Sequence, residues 1–167
     1  RAYRRAGVEP STVTMVEAGR LYAFGHPFYN LGPSSFPMTR AYVHTVLSSQ
    51  AISSRIATVG ETLGTIDQDR STGISGAFGA GPGMVPVHID IEAAESGHTG
   101  SFDFEVVDDE LFTPLLVYNA MLNTLVSHNR QVGAATYTVR GEVTLADHPN
   151  ATFEETFTGG SATIQAA

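Results

Sequence analysis

One histidine stands where a strand is expected to end. In the stretch "YAFGHPFYN" an apolar run reaches Gly25 and His26 and then stops at Pro27. Glycine permits a close backbone approach and proline fixes the exit direction, so the histidine is geometrically constrained. An ordinary histidine pKa of about 6.5 suits a general base near neutral pH. The alternative is a turn histidine that makes one backbone hydrogen bond, and the pattern taken alone favours that alternative.

A second polar stretch, "GTIDQDRSTGISG", contains Asp69 and Ser75, which with His26 would follow the chain order of a His/Asp/Ser triad. We reject that triad, because the acid and the nucleophile of a two-barrel serine protease come from different barrels. Here they lie on one glycine-rich connection. "GISGA" also lacks the G-x-S-x-G spacing of a nucleophile elbow. We expect instead a turn at Asp69 and Arg70 with local ion pairing.

Metal and cofactor sites find little support in the residue spacing. The histidines do not form H-x-H or H-x-x-x-H pairs, and the chain has no cysteine. A weaker alternative is a site for a hard cation, formed by Asp67, Asp69 and a histidine. The twelve-residue calcium loop pattern is absent. There is no phosphate-binding loop and no dinucleotide fingerprint. We therefore expect no metal ion and no cofactor.

Strands are needed to position His26. "STVTMV" and "GRLYAF" alternate and predict a hairpin that delivers the chain to this histidine, after a loose leader over residues 1–10. Residues 27–39 are rich in proline, glycine and serine and predict a loop long enough to have a function. "SSRIATVG" and "ETLGTID" predict two short strands. The glycines of "STGISGAFGAGPG" predict tight turns or close backbone approach rather than a helix.

The second half of the chain has a different pattern. "VPVHIDIEA" and "SFDFEVV" alternate as strands with one apolar face. A helix is predicted near residues 113–129, with Thr113 as its N-cap and Pro114 at its first position. "ATYTVRGEVTLA" and "ATFEETF" predict further strands, and the tail "GGSATIQAA" predicts a short strand or irregular chain.

Composition bounds the functions to consider. The chain has 167 residues, a net charge of -8 and no lysine. An acidic chain without a basic stripe argues against nucleic acid as a partner. No apolar run approaches the roughly 20 residues of a membrane helix. The chain starts at Arg1 rather than at methionine, which we interpret as a mature or cut-out segment. Absence of cysteine suits an exported protein without establishing export.

Three blocks together resemble the SpoIVB-type serine peptidase domain, in the branch found in large exported proteins of environmental bacteria. They are "YAFGHPFYNLGPSSFPMTRAYV", "GETLGTIDQDRSTGISGAFG" and "LFTPLLVYNAMLNTL". The first two blocks in combination are the specific ones. The third, with "TYTVRGEVTLADHPN", resembles the segment that follows the peptidase motif in that branch. The resemblance extends from about residue 11 to residue 157.

This resemblance implies a chymotrypsin-like serine endopeptidase with a His/Asp/Ser triad. The family's histidine lies in a "GH" at a strand end, which matches Gly25 and His26, so His26 is the one catalytic residue that carries over. The family's serine lies in "GMSGSP", with its aspartate shortly before it, and neither motif occurs here. In this branch the serine segment tends to precede the histidine block. Without its serine the chain alone should be inert as a peptidase.

The sequence thus predicts a mainly β fold, a chymotrypsin-like barrel portion followed by a β-rich region with one packed α-helix. Residues 1–84 would be the histidine-bearing barrel portion, and residues 85–167 the accessory region. The expected partners are a protein or peptide substrate and the remaining segment of the same parent protein, in an exported, periplasmic or cell-envelope setting. A homo-oligomer is left open. The alternative function is a non-catalytic binding or structural module of the bacterial cell envelope.

Overall fold

The computed structural model describes residues 4–5, 13–49, 54–94, 97–128 and 133–167. The mainly β class is confirmed, because ten strands and two helices form within these ranges. The strands are β1 (Arg4–Arg5), β2 (Val13–Glu17), β3 (Arg20–Ala23), β4 (Gly32–Leu47), β5 (Ser54–Arg70), β6 (Gly73–Phe78), β7 (Met84–Ala93), β8 (His98–Val107), β9 (Ala135–Val143) and β10 (Ala151–Gly159). The helices are α1 (Phe112–His128) and α2 (Ala162–Ala166).

The chain divides into two compact units. One comprises Ala2–Pro86 and Glu105–Thr113, and we call it the His26 unit. The other comprises Val87–Phe104 and Pro114–Ala167, and we call it the α1 unit. Most of the predicted leader over residues 1–10 lies outside the described residues, but Arg4 and Arg5 form β1, which is paired with β8.

The His26 unit contains a five-stranded sheet in the order β2-β3-β6-β5-β4. All four neighbouring pairs are antiparallel, and the predicted β2–β3 hairpin is confirmed for the part of it that is described. Among the described residues the sheet is open rather than closed into a barrel, because β2 and β4 are its two edges. A barrel closes only when its outer strands pair with each other.

The predicted loop over residues 27–39 is wrong for its second half, since β4 already begins at Gly32. Pro33 and Pro37 pair in register with Gln68 and Thr65 of β5. Proline lacks an N–H group and is tolerated on an edge strand, where one side of the backbone has no neighbouring strand to hydrogen-bond with. In the described residues β4 is such an edge, so the prolines do not interrupt it.

The two short strands predicted before Asp69 are one continuous strand, the 17-residue β5. The glycine-rich stretch after it forms β6 rather than a helix, as predicted, and it approaches β5 closely. A Cβ atom on Gly76 would lie 2.6 Å from the carbonyl oxygen of Thr65. Leu21, Ala23 and Met38 form the buried core of the His26 unit, with Leu63, Ile66 and Ile74 packed against it.

Predictions for the α1 unit and its flanks are largely confirmed. Along β7 the apolar residues Val87, Ile89 and Ile91 are half-buried, while His88 and Asp90 are exposed. Strands β9 and β10 form a continuous antiparallel ladder from Ala135↔Gly159 to Val143↔Ala151.

The tail forms neither a strand nor irregular chain, so both expectations for it are wrong. It forms α2, in which Ala162 and Ala166 are buried. The hydroxyl of Thr163 donates to the Tyr137 hydroxyl at 3.1 Å, which ties α2 to β9. Alanine has the highest intrinsic helix propensity, and small side chains allow close packing of such a short helix.

Helix α1 confirms the predicted helix near residues 113–129, within the part that is described. The predicted N-cap is wrong. The Asp109 carboxylate accepts the N–H groups of Leu111 and Phe112 at 2.9 and 3.0 Å, whereas the Thr113 hydroxyl donates to the carbonyl of Val107 at 2.7 Å. An aspartate oxygen satisfies the free N–H groups of a first turn and its charge favours the helix dipole. Among the described residues no helix has the length and apolar character needed to cross a membrane.

Candidate active site

A β-bulge at Asp67 divides the polar residues of β5 between the two faces of the sheet. Ile66 pairs with Gly76 and Gln68 pairs with Ser75, so Asp67 is one extra residue in β5. A bulge interrupts the alternation of side chains and changes where they point. Asp67 and Gln68 therefore share one face with Ser75. The next residue, Asp69, turns to the opposite face, which carries the apolar core.

Asp69 is fully buried, with 0% of its surface exposed. One carboxylate oxygen accepts the backbone N–H of Phe28 at 2.7 Å. The other oxygen accepts the N–H groups of Tyr29 at 2.7 Å and Leu31 at 3.2 Å. Asp69 thus binds the segment that follows His26. The predicted Asp69–Arg70 turn with local ion pairing is wrong, because converging backbone N–H groups, and not an arginine, stabilise the charge of the carboxylate.

Two opposing effects act on the pKa of Asp69. Burial raises it, since the charged form loses its hydration. Hydrogen bonds from the backbone N–H groups of Tyr29, Phe28, Leu31 and Asn30 lower it. The hydrogen bonds outweigh burial, and the pKa of Asp69 lies below its ordinary value of 3.8. The group is therefore a carboxylate at neutral pH and not a proton donor.

His26 is exposed, immediately after a strained piece of backbone. Phe24 and Gly25 have φ angles of 77° and 94°, in the left-handed region that a phenylalanine rarely adopts. The Nδ1 atom of His26 lies 2.8 Å from the carbonyl oxygen of Pro27. A carbonyl oxygen only accepts, so Nδ1 carries the proton of the neutral ring. The Nε2 atom is then the unprotonated nitrogen, which can accept a proton.

The imidazole ring is held in place by an aromatic neighbour. It stacks on Phe24, with ring centroids 5.1 Å apart and planes within 2° of parallel. Phe24 belongs to a cluster of aromatic rings in contact with one another, formed by Phe24, Phe28, Tyr29, Phe36 and Phe112. Aromatic contacts of this kind contribute about 0.5–1.5 kcal/mol each beyond their buried area. The ring of His26 is therefore oriented by packing as well as by its hydrogen bond.

The residues of the rejected triad are not brought together. The Asp69 carboxylate is bonded to the backbone after His26, and the Ser75 hydroxyl donates to Asp67 at 3.3 Å. In the described residues neither side chain contacts the His26 ring. The alternative cation site at Asp67 and Asp69 is also wrong, since the two carboxylates lie on opposite faces and each already has partners. No cluster of three metal-binding side chains occurs among the residues described.

Sequence reasoning missed Arg20, which joins three strands on the polar face of the sheet. Its Nη2 atom lies 2.6 and 2.9 Å from the two carboxylate oxygens of Asp67. The same atom donates to the Ser75 hydroxyl at 3.1 Å. The sequence does contain an indication of this cluster. Polar and apolar residues alternate in "GRLYAF", which puts Arg20 and Tyr22 on one face of β3.

A cleft of about 300 Å³ lies on this polar face. Tyr22 from β3, Ser75 from β6 and Arg70 at the end of β5 contribute to its lining. Gly25, directly before His26, and Thr72 in the β5–β6 turn also line it. The candidate active site therefore consists of the exposed ring of His26 and of a cleft, lined by the preceding Gly25, that holds one arginine and several hydroxyl groups.

The α1 unit contains a histidine in a different chemical state. The Nδ1 atom of His88 lies 2.8 Å from the Asp103 carboxylate, and its Nε2 atom lies 3.2 Å from that of Asp90. The hydrogen bond to Asp103 and then the hydrogen bond and charge of Asp90 raise the pKa of His88 above its ordinary value of 6.5. With both nitrogens bonded to carboxylates, His88 is suited to holding a proton rather than to accepting one from a substrate.

Comparison of the chain with protein-family models, with curated proteins and with solved structures found no match.

Replacing Asp69 with asparagine should destabilise the His26 unit by about 2–3 kcal/mol at pH 7, because hydrogen bonds to a charged acceptor are lost and an NH₂ group faces N–H donors. Because the pKa of Asp69 is lowered in the folded state, the ionised carboxylate stabilises that state at pH values above 3.8. This contribution is lost as the pH falls through the pKa of the folded state. The difference from wild type should therefore shrink below pH 3.8. Urea unfolding measured from pH 7 downwards tests this, with Asp147→Asn, an exposed change, as the control. Equal stability of Asp69→Asn and wild type at pH 7 would contradict it.

Replacing Asp103 with asparagine should move the titration midpoint of His88 down towards 6.5, because the largest contribution to the raised pKa is removed. Because the pKa of His88 is raised in the folded state, its protonated ring contributes its full stabilisation at pH values below 6.5. This contribution disappears as the pH rises through the pKa of His88 in the folded state. An NMR titration of the His88 ring protons measures the midpoint, and Asp147→Asn should leave it unchanged. A midpoint that stays where it is in Asp103→Asn would show that the contact does not act on His88.

Proposed function

We propose that this chain is the histidine-bearing part of a SpoIVB-like serine endopeptidase, with His26 as the general base. The nucleophilic serine is supplied by a segment missing from this chain. The observation that carries the proposal is the hydrogen bond of 2.8 Å between His26 Nδ1 and the Pro27 carbonyl oxygen, which leaves Nε2 as the proton acceptor on an exposed ring. The three sequence blocks that resemble the peptidase family support the same role for His26.

The chemistry requires a histidine with this arrangement of protons. As the serine oxygen attacks a peptide carbonyl, its proton passes to Nε2 and the ring becomes an imidazolium. The imidazolium keeps its Nδ1–H bond to Pro27 and later donates the Nε2 proton to the leaving amine. In a serine triad a carboxylate fixes this tautomer, whereas here the acceptor is a backbone carbonyl, which is an established alternative for orienting a histidine.

A general base must also be positioned, and the surroundings of His26 supply this. The Asp69 carboxylate fixes the backbone of Phe28, Tyr29 and Leu31 directly after it. The left-handed conformation of Phe24 costs about 1–3 kcal/mol and persists only where the surrounding contacts impose it. Backbone strain of this kind is concentrated at functional sites, which favours a role for His26 beyond that of a turn residue.

The proposal extends to the fold and the setting of the protein. The open five-stranded sheet is one part of a chymotrypsin-like barrel, completed by strands of the segment that carries the serine. The unpaired edges of β2 and β4 in the described residues are where such strands would add. The α1 unit is an accessory region for docking or presenting a protein or peptide substrate. The whole protein acts in an exported, periplasmic or cell-envelope setting of a bacterium.

A second candidate is a non-catalytic binding or structural module of the bacterial cell envelope. One observation favours it: in the described residues His26 is bonded to a backbone carbonyl and to no carboxylate. Without a carboxylate the imidazolium formed during catalysis is less stabilised. Exposed apolar side chains on the β4–β5 hairpin, including Val46 and Leu47, also suit a binding role.

Labelling of the parent protein with a fluorophosphonate probe separates the two candidates. The peptidase proposal predicts a labelled serine outside these 167 residues and a rate lowered by about 1,000-fold or more in His26→Ala. His44→Ala is the matched control, since His44 is an exposed histidine bonded to Thr58 on the β4–β5 hairpin, and it should label normally. Equal labelling of wild type and His26→Ala would refute a role for His26. Absence of labelling in wild type would favour the binding module.

A further inference from the structure

The cleft beside Gly25 carries a positive charge that no acidic side chain among the described residues neutralises. Arg20, the other cation on this face, is paired with Asp67 at 2.6 Å. Arg70 lines the cleft and donates from Nε to the side-chain oxygen of Gln68 at 2.9 Å, which is a neutral acceptor. No carboxylate of the described residues pairs with Arg70. Within the described part of the chain the cleft therefore has an unneutralised cation, although the net charge of the chain is -8.

The contact with Gln68 leaves the two terminal nitrogens of the Arg70 guanidinium unoccupied. An arginine has five N–H donors, of which Nε carries one and the two terminal nitrogens carry four. Since Gln68 accepts from Nε, the terminal nitrogens of Arg70 remain for a ligand. A guanidinium binds a carboxylate through two parallel hydrogen bonds, which are shorter and stronger than bonds between neutral groups.

The rest of the lining fits the same ligand class. Tyr22 and Thr72 contribute hydroxyl groups, which can donate to an anion. The volume of about 300 Å³ is at the lower end of the range for ligand pockets, enough for one side chain or a chain end rather than for a large cofactor. Gly25, which directly precedes His26, lines the cleft, so a peptide bound there contacts the backbone next to the proposed base.

We infer that this cleft binds the carboxylate of a peptide through Arg70, and that an acidic residue or a free C-terminus is what it selects. The inference names the substrate class of the proposed peptidase and rests on that proposal only in calling the peptide a substrate. Carboxylate recognition itself requires no catalysis. It can therefore be measured on this chain alone.

The test is calorimetric titration of the 167-residue chain with three short peptides of equal length. The first has an internal glutamate and an amidated end, the second has glutamine in its place, and the third has that glutamine and a free C-terminal carboxylate. The glutamate or the free-carboxylate peptide should bind about tenfold or more tightly than the neutral one, as expected for hydrogen bonds to a charged group. Which of the two binds tightly distinguishes the side-chain carboxylate from the chain end.

Arg70→Gln should abolish that preference, and Arg70→Lys should keep part of it because the charge remains. Arg40→Gln is the matched control, since Arg40 is an exposed arginine of β4 paired with Glu61 at 3.2 Å, and it should keep the preference intact. Raising the salt concentration from about 0.1 M to about 1 M should weaken the preference, because the Debye length falls from about 10 Å to about 3 Å.

Equal affinity for all three peptides, or no binding of any, would overturn the inference. A preference that survives Arg70→Gln would overturn it as well. The outcome is separable from the proposed function, because fluorophosphonate labelling is read on the parent protein. Loss of the preference in Arg70→Gln with His26-independent labelling would retain the carboxylate site and refute the role of His26 as general base. Labelling that depends on His26 without any carboxylate preference would do the reverse.

Discussion

The buried carboxylate of Asp69 accepts three backbone N–H groups and so joins the end of β5 to the turn that follows His26. Without a charged acceptor at Asp69, these N–H groups would be left without a partner in a part of the unit that excludes water, which costs free energy for each group. Because the acceptor is charged, the bonds also offset the cost of burying Asp69 itself. The same interaction therefore sets the path of the chain after His26 and the protonation state of the carboxylate.

The bulge at Asp67 makes this interaction possible. With regular alternation Asp67 and Asp69 would lie on the same face of β5, and one of them would be misplaced. The extra residue sends Asp69 to the core face and leaves Asp67 opposite Arg20 on the polar face. A fixed loop beside His26 and a polar cleft on the other face are thus two consequences of one irregularity in pairing.

Patterns with local causes could be predicted from the sequence. The alternation of β7, the hairpin of β2 and β3 and the helix α1 depend on residue types within a few positions, and the structure confirms them. The open sheet, the proline-containing start of β4 and the bonds of Asp69 could not be predicted in this way. Each depends on a partner distant in sequence, as when Asp69 binds Tyr29, 40 positions away. For the same reason His26 could be singled out from its flanking residues while Arg20 was missed.

We infer that the backbone acceptor orients His26 so that Nε2 is free to accept a proton. The ¹⁵N chemical shifts of the two ring nitrogens test this most directly, measured on the neutral ring in the 167-residue chain. We expect Nδ1 to carry the proton and Nε2 to have the chemical shift of an unprotonated nitrogen. A neutral ring protonated at Nε2, or an equal mixture of the two tautomers, would contradict it, because His26 would then not be held as a general base.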